Sequence, residues 1–283
     1  MSDAVTPILT PAEAPPVEVI GEPGSAPVVL AVDHASPELP RALGDLGLDP
    51  AHRRAHAAWD PGALALARAI ARRLGAPVVA SRYSRLVHDV NRPPASPEAM
   101  PAEVEGIPVP GNRDLGEAER AARAEALYAP FHRAIDDALA AAEARHGRAA
   151  LVTVHSFTPS WHGRPRAVEI GILHDADARL AEALLARLAE AMPGRRIARN
   201  RPYGPEDGVT HTLRVHALPR GLPNVMIEVR NDLLATEAGI EAVARPLADA
   251  LSEALAAVGV PLRPEARAGG GGRSEAAEGG ESG

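Results

Sequence analysis

Residues 151–161 read LVTVHSFTPSW. Leu151 to Val154 form a continuous apolar run, which predicts a buried strand. The run ends in His155 and Ser156, and Pro159 follows. Continuous apolar strands belong to parallel sheets covered on both faces. In such sheets ligands bind beyond the carboxyl ends of the strands. His155 therefore stands where chemistry is expected.

Outward from this strand the pattern repeats. PVVLAVD (27–33), PVVASRY (77–83), RLVHDV (85–90), AVEIGIL (167–173) and NVMIEVR (224–230) predict further strands. Helical stretches lie between them, at 60–77, about 116–146, 176–192, within 208–218, and about 235–258. The helix at 60–77 has Asp60 at the N-cap position, Pro61 at the first helical position and Gly75 just past its end. Alternating strands and helices predict one three-layer α/β domain over 26–262, with a mostly parallel or mixed central sheet flanked by helices. Residues 1–25, rich in Pro, Ala and Glu, read as a loose N-terminal arm. Residues 263–283 are Gly-rich with nothing to bury and read as a disordered tail.

Composition narrows the function classes. Hydrophobic residues make up 46% of the 283, but only two Trp, three Tyr and two Phe are present, so the core is built of Leu, Val, Ile and Ala. The net charge is −7 and no basic run is interleaved with aromatics, which speaks against nucleic acid as a partner. No apolar stretch approaches the roughly 20 residues of a membrane helix. No basic-then-apolar leader opens the chain, so the cytoplasm is the expected location. With no cysteine, disulfides, iron–sulfur clusters and thiol nucleophiles are excluded. Any metal must be held by His and carboxylate groups.

Polar residues gather at the strand ends. VVLAVDHAS ends in Asp33 and His34, RLVHDVNRP in Asn91 and Arg92, and NVMIEVRND carries Glu228 and Arg230 on one face of an apolar run. Each has an ordinary explanation: a hydrogen-bonded histidine, a turn, a buried Glu–Arg pair. A charge in a core strand is costly unless paired. Together they suit a catalytic zinc site with an open position, built from two histidines and a carboxylate. A separate Glu suits the general base, and an Asn–Arg pair suits the grip on a substrate carboxylate. No G-x-S-x-G elbow is present, so Ser156 is not read as a nucleophile.

HSFTP, NRP and IEVR resemble landmarks of the zinc carboxypeptidase clan. More closely, PVVLAVDHAS, RYSRLVHDVNRP, IPVPGN, VHSFTP, NRPY, HT…HA and GLPNVMIEVRNDL, taken in order over about 18–255, resemble the N-formylglutamate amidohydrolase family. The resemblance implies a phosphorylase/hydrolase-like α/β fold and one zinc ion per chain. It implies hydrolysis of N-formyl-L-glutamate to formate and L-glutamate, the last step of one histidine-degradation route. Carried over by motif, His34 and His155 are metal ligands, Glu228 is the base, Asn91 and Arg92 hold a carboxylate, and Arg85 stabilises the oxyanion. Carboxypeptidases take a third ligand from a Glu three residues after the first His, and here that position is Pro37. Asp60 is the preferred substitute, with Glu38 and His56 as alternatives. His211, Arg230 and the WHGRPR loop (161–166) are expected at the substrate pocket. His88 reads as structural, and His52, His132, His146 and His174 as surface or loop residues. The alternatives are a same-clan metallohydrolase acting on another N-acyl amino acid or small peptide, and a metal-free binding protein on this fold.

Overall fold

The structure is a computed structural model that describes residues 7–262. The stretch read as a disordered tail lies outside the described residues, as do the first six positions of the arm. In chain order the strands are β1 (Val17–Ile20), β2 (Val28–Val32), β3 (Val78–Ser81), β4 (Glu103–Val104), β5 (Ile107–Pro108), β6 (Ala150–Phe157), β7 (Ser160–Trp161), β8 (Arg164–Pro165), β9 (Ile170–Leu173), β10 (Ile197–Arg199) and β11 (Asn224–Arg230). The helices are α1 (Ala63–Leu74), α2 (Glu117–Arg123), α3 (Ala129–His146), α4 (Arg179–Ala191), α5 (His211–His216) and α6 (Glu237–Ala257).

Seven strands form one sheet in the order β1-β3-β2-β6-β11-β9-β10. The central run β3-β2-β6-β11 is parallel, whereas β1 joins β3 and β9 joins β11 antiparallel, so the sheet is mixed. The apolar runs are continuous because both faces are covered. On one face Val28, Leu30, Val32, Val152 and Val154 pack with residues of α1, α4 and α6. On the other, Val29, Ala31 and Leu151 pack with residues of α3 and α5. Among the described residues no helix is long and apolar enough to cross a membrane.

Three expectations need correction. The stretch read as a loose arm contains β1, which pairs residue for residue with β3. Residues 85–90 are not a strand. That edge of β3 is taken by β1, and the 85–90 backbone closes into turns instead, with Val87 N–H donating to the Ser84 carbonyl and Arg92 N–H to that of Asp89. The apolar Leu86 and Val87 serve a third small core with Leu46, Leu48 and Val109. Asp60 is not the cap of α1. The cap is Gly62 at φ +84°, where an added Cβ would come within 2.5 Å of Leu234 Cβ, so only glycine fits. The Asp60 side chain is thereby free to point elsewhere.

Candidate active site

The carboxyl ends of β2, β6 and β11 meet at one point. His34 follows β2, and His155 lies in β6 directly opposite Glu228 of β11 in the parallel register. The backbone N–H of Asp60 donates to the His34 carbonyl at 2.9 Å, which ties the approach to α1 onto the end of β2. Asp60 Oδ2 then lies 2.9 Å from His155 Nδ1 and 3.3 Å from His34 Nδ1. One donor atom from each of the three lies within 4.8 Å of the others, all buried, a group that can hold a metal ion.

The outer nitrogens also face carboxylates, His34 through a hydrogen bond and His155 through a charge contact that is not aligned as one. His34 Nε2 is 2.7 Å from Asp89 Oδ1, and His155 Nε2 is 2.8 Å from Asp33 Oδ2. A carboxylate behind each ligating imidazole is the usual support of a protein metal site, because it sets the tautomer and ring orientation. The donor set therefore fits a divalent metal such as zinc: two imidazole nitrogens, one carboxylate oxygen, and cavity space beside them. Asp33 and Asp89 received no role from the sequence. Their signal was position, one directly before His34 and the other two before Asn91, each at the same strand-end rim.

Burial alone would raise the carboxyls, but neighbouring charges decide. The His34 charge and hydrogen bonds from both imidazoles hold Asp60 well below the usual carboxylate range. The charges of His34 and Arg85 do the same for Asp89. Burial depresses His155, and its contacts with Asp33 and Asp60 overcome this and raise it well above the ordinary value. Glu228 differs: burial pushes it up to about 7 and its Oε2 has no hydrogen-bond partner among the described residues.

These groups line a cavity of about 310 Å³, together with Arg85, Asn91 and Arg92. Arg85 Nη2 donates to Asp89 Oδ2 at 2.9 Å, and its Nη1 is 3.7 Å from Asp60 Oδ1. Arg92 Nη1 donates to the Gly208 carbonyl, and its Nε is 3.1 Å from Glu98. The Asn91 amide is largely occupied: Nδ2 donates to the Val209 carbonyl at 2.6 Å, and Oδ1 accepts from Thr212 N–H at 2.9 Å. Asn91 thus fixes the rim segment before α5.

Of the alternative third ligands, His56 has its nitrogens directed at the Ser156 carbonyl (2.9 Å) and Glu105 (3.2 Å), and Glu38 is exposed and lies outside this cavity. The Ser156 hydroxyl donates to the Pro61 carbonyl. Two residues expected at the substrate pocket are not on the cavity wall. His211 Nε2 meets the Tyr128 hydroxyl at 2.9 Å, and Arg230 pairs with Asp232 and donates to the Arg166 carbonyl. Trp161 of the expected WHGRPR loop does line it, as do Tyr203 and Glu105, which had no assigned role. His132, read as a surface or loop residue, is buried between His216 Nε2 (2.6 Å) and the Val90 carbonyl (2.8 Å), where it props the Asp89–Asn91 turn. His88 is buried, and burial pushes it down to about 4, so it is neutral.

Comparison with known proteins bears on the family and the fold. The family model described as N-formylglutamate amidohydrolase matches residues 26–235. The crystal structure of gene product Atu2144 from Agrobacterium tumefaciens is 51% identical, with a TM-score of 0.85, covering 89% of this chain and 99% of that one. An N-formylglutamate amidohydrolase from Ralstonia eutropha JMP134 shares the fold at 21% identity, with a TM-score of 0.65, covering 87% of this chain and 98% of that one. No curated protein matches the chain.

Proposed function

Because the chain belongs to the N-formylglutamate amidohydrolase family, we propose that this cavity hydrolyses N-formyl-L-glutamate to formate and L-glutamate, with one zinc ion per chain. The reaction is the final hydrolytic step of one histidine-degradation route. The observation that carries the reading is the convergence of His34 Nδ1, Asp60 Oδ2 and His155 Nδ1 beside a buried Glu228 carboxyl with a free oxygen.

His34, Asp60 and His155 are the residues that would hold the ion. When bound, zinc supplies Lewis acidity, lowering the pKa of a water and polarising a carbonyl. Glu228 is suited to accept a proton from the attacking water and return it to the leaving amine, since a base works best with a pKa near the operating pH. Arg85, anchored by Asp89 and always charged, is suited to stabilise the negative charge that develops on the formyl oxygen. Arg92 holds the α-carboxylate of the substrate. Asn91 acts on that contact indirectly, by fixing the Val209 segment beside the Gly208 carbonyl to which Arg92 is bonded. The Ser156 hydroxyl donates to the Pro61 carbonyl rather than to a base, which supports water as the nucleophile, and no covalent intermediate is needed.

The test is a panel of N-formyl, N-acetyl and N-succinyl amino acids, assayed with zinc added and after verified metal removal. Zinc-dependent release of formate from N-formyl-L-glutamate supports the reading. A clear preference for another acyl-amino acid keeps the mechanism and replaces the substrate. Full activity of the metal-free protein would overturn the mechanism.

A further inference from the structure

Arg166 has a setting unlike the other cations around the cavity. It follows β8, and its backbone N–H donates to the Pro159 carbonyl, closing the β7–β8 hairpin. Its guanidinium lies 4.9 Å from the ring centres of Trp161 and Tyr203 and 5.4 Å from that of Phe157. Three of the chain's seven Phe, Trp and Tyr residues are therefore gathered on one arginine. Such rings stabilise a cation by the charge distribution of their faces and hold it in place. They leave its N–H groups without an anion.

The other cations each face a carboxylate already, that of Arg92 being the exposed Glu98, which a substrate carboxylate can displace. Arg85 bonds Asp89, Arg92 meets Glu98, His56 meets Glu105, and Arg230 bonds Asp232. Arg166 pairs with no carboxylate among the described residues. Its two hydrogen bonds run to the Tyr203 hydroxyl at 2.9 Å and the Thr158 carbonyl at 3.5 Å, while a guanidinium offers five N–H donors. Trp161 and Tyr203 are themselves cavity wall, and the half-buried Arg166 sits against both rings beside the wall rather than on it. Tyr203 is pushed up to about 12 by burial and by the Glu228 charge, so its hydroxyl keeps its proton and can donate while accepting from Arg166. Arg230 donates to the Arg166 carbonyl at 3.2 Å and so braces the same residue from behind.

We infer that Arg166, with the Tyr203 hydroxyl, reads the side-chain carboxylate of a dicarboxylic N-acyl amino acid and thereby sets the acid-over-amide specificity of this site. The inference rests on the hydrolase reading above. It divides the substrate between two anchors, Arg92 for the α-carboxylate and Arg166 for the distal one. A planar fork held rigid by rings suits a carboxylate and gives nothing comparable to a neutral amide.

The experiment compares kcat/KM for N-formyl-L-glutamate and N-formyl-L-glutamine, its neutral isostere, in the zinc-loaded wild type, Arg166→Met, Arg166→Lys and Tyr203→Phe. The wild type should prefer the acid by roughly 10- to 100-fold, the worth of a charge-assisted hydrogen bond. Arg166→Met should erase that ratio while glutamine-substrate turnover stays within about threefold. Tyr203→Phe keeps the ring and should lower the ratio by a smaller factor, and Arg166→Lys should fall between. The ratio is internal to each variant, so loss of folded protein cannot mimic its collapse. In parallel, binding of L-glutamate and L-glutamine is followed by NMR titration of the wild type and Arg166→Met. If the wild type hydrolyses no N-formyl amino acid but binds glutamate over glutamine through Arg166, the hydrolase reading fails and the carboxylate reader stands. A ratio unchanged in Arg166→Met, or no acid-over-amide selectivity in the wild type in either assay, overturns the inference.

Discussion

The two carboxylates behind the candidate metal-ligand imidazoles should not be equally replaceable. Asp89 makes three contacts: Oδ1 lies 2.7 Å from His34 Nε2 and accepts from Asn91 N–H at 2.9 Å, and Oδ2 accepts from Arg85 at 2.9 Å. In Asp89→Asn one oxygen must serve where two did. If it faces His34, the new NH2 points at the Arg85 guanidinium, donor against donor. If it faces Arg85, the NH2 points at His34 Nε2–H and Asn91 N–H. Neither orientation satisfies the site. Asp33 is different. Its Oδ2 lies 2.8 Å from His155 Nε2, and its Oδ1 accepts from the Thr212 hydroxyl at 2.7 Å. In Asp33→Asn the oxygen stays on His155 and the NH2 donates to Thr212 Oγ1. The Thr212 hydroxyl then donates to Asn91 Oδ1, already 3.1 Å away. Loss of a supporting carboxylate costs about 10- to 100-fold in metal affinity, or about 1.4 to 2.7 kcal/mol. Asp33→Asn is expected at the low end of that range and Asp89→Asn at the high end, with a further loss of kcat because Arg85 loses its anchor. Competition with a fluorescent zinc chelator measures the affinities, and kcat is taken at saturating zinc. Equal affinities in the two variants, or weaker zinc binding by Asp33→Asn, would refute the argument.

Glu228→Gln should retain zinc and substrate while kcat falls by about 10² to 10⁴, since the amide cannot accept the proton; near-normal turnover removes Glu228 from the base role. His34→Ala, His155→Ala and Asp60→Ala should each lose most bound zinc by elemental analysis; stoichiometric, tight zinc in Asp60→Ala would show that the carboxylate is no ligand. Arg92→Lys should raise KM for an acyl-amino acid more than it lowers kcat, because a carboxylate contact made equally in ground and transition states is lost. A substrate amidated at the α-carboxylate should be nearly indifferent to that change, and equal losses on both substrates would mean Arg92 does not read this group. Gly62→Ala should destabilise the fold by more than about 1 kcal/mol, seen as a lower Tm, since its φ is positive and Leu234 occupies the Cβ position.

The apolar runs disclosed the sheet because burial on both faces leaves an unbroken signature, as at 150–157 and 224–230. β1 escaped because an edge strand is only half-covered: Val17–Ile20 carries no fully buried residue, so its pairing with β3 has no compositional trace. RLVHDV misled for the opposite reason. Leu86, Val87 and Val90 are buried as a strand's would be, but their backbone groups go to a turn and to the side chains of Ser84, Asn112, Arg123 and His132, and periodicity reports side chains alone. Arg230 misled similarly: it alternates with Glu228, but its guanidinium turns to Asp232, two residues on.

The candidate metal-ligand group was named from the sequence, but its geometry was legible only in part. His34 and His155 stand at the ends of apolar strands, and that juxtaposition follows from the parallel pairing of β2 with β6. Asp60 had two readings, cap or ligand; the ligand was preferred, although Asp-Pro is also an ordinary helix opening. Two contacts decide between them. Gly62 takes the capping position because Leu234 leaves no room for a side chain there, and the Asp60 N–H is bonded to the His34 carbonyl. That single hydrogen bond brings residues 26 positions apart to one point, and with His155 arriving on the neighbouring strand the three donor atoms converge. Neither contact has a periodicity, so the sequence could offer Asp60 as the preferred third ligand only from the expected packing of its helix beside the first strand, and the contacts that aim its carboxylate appear only in the fold.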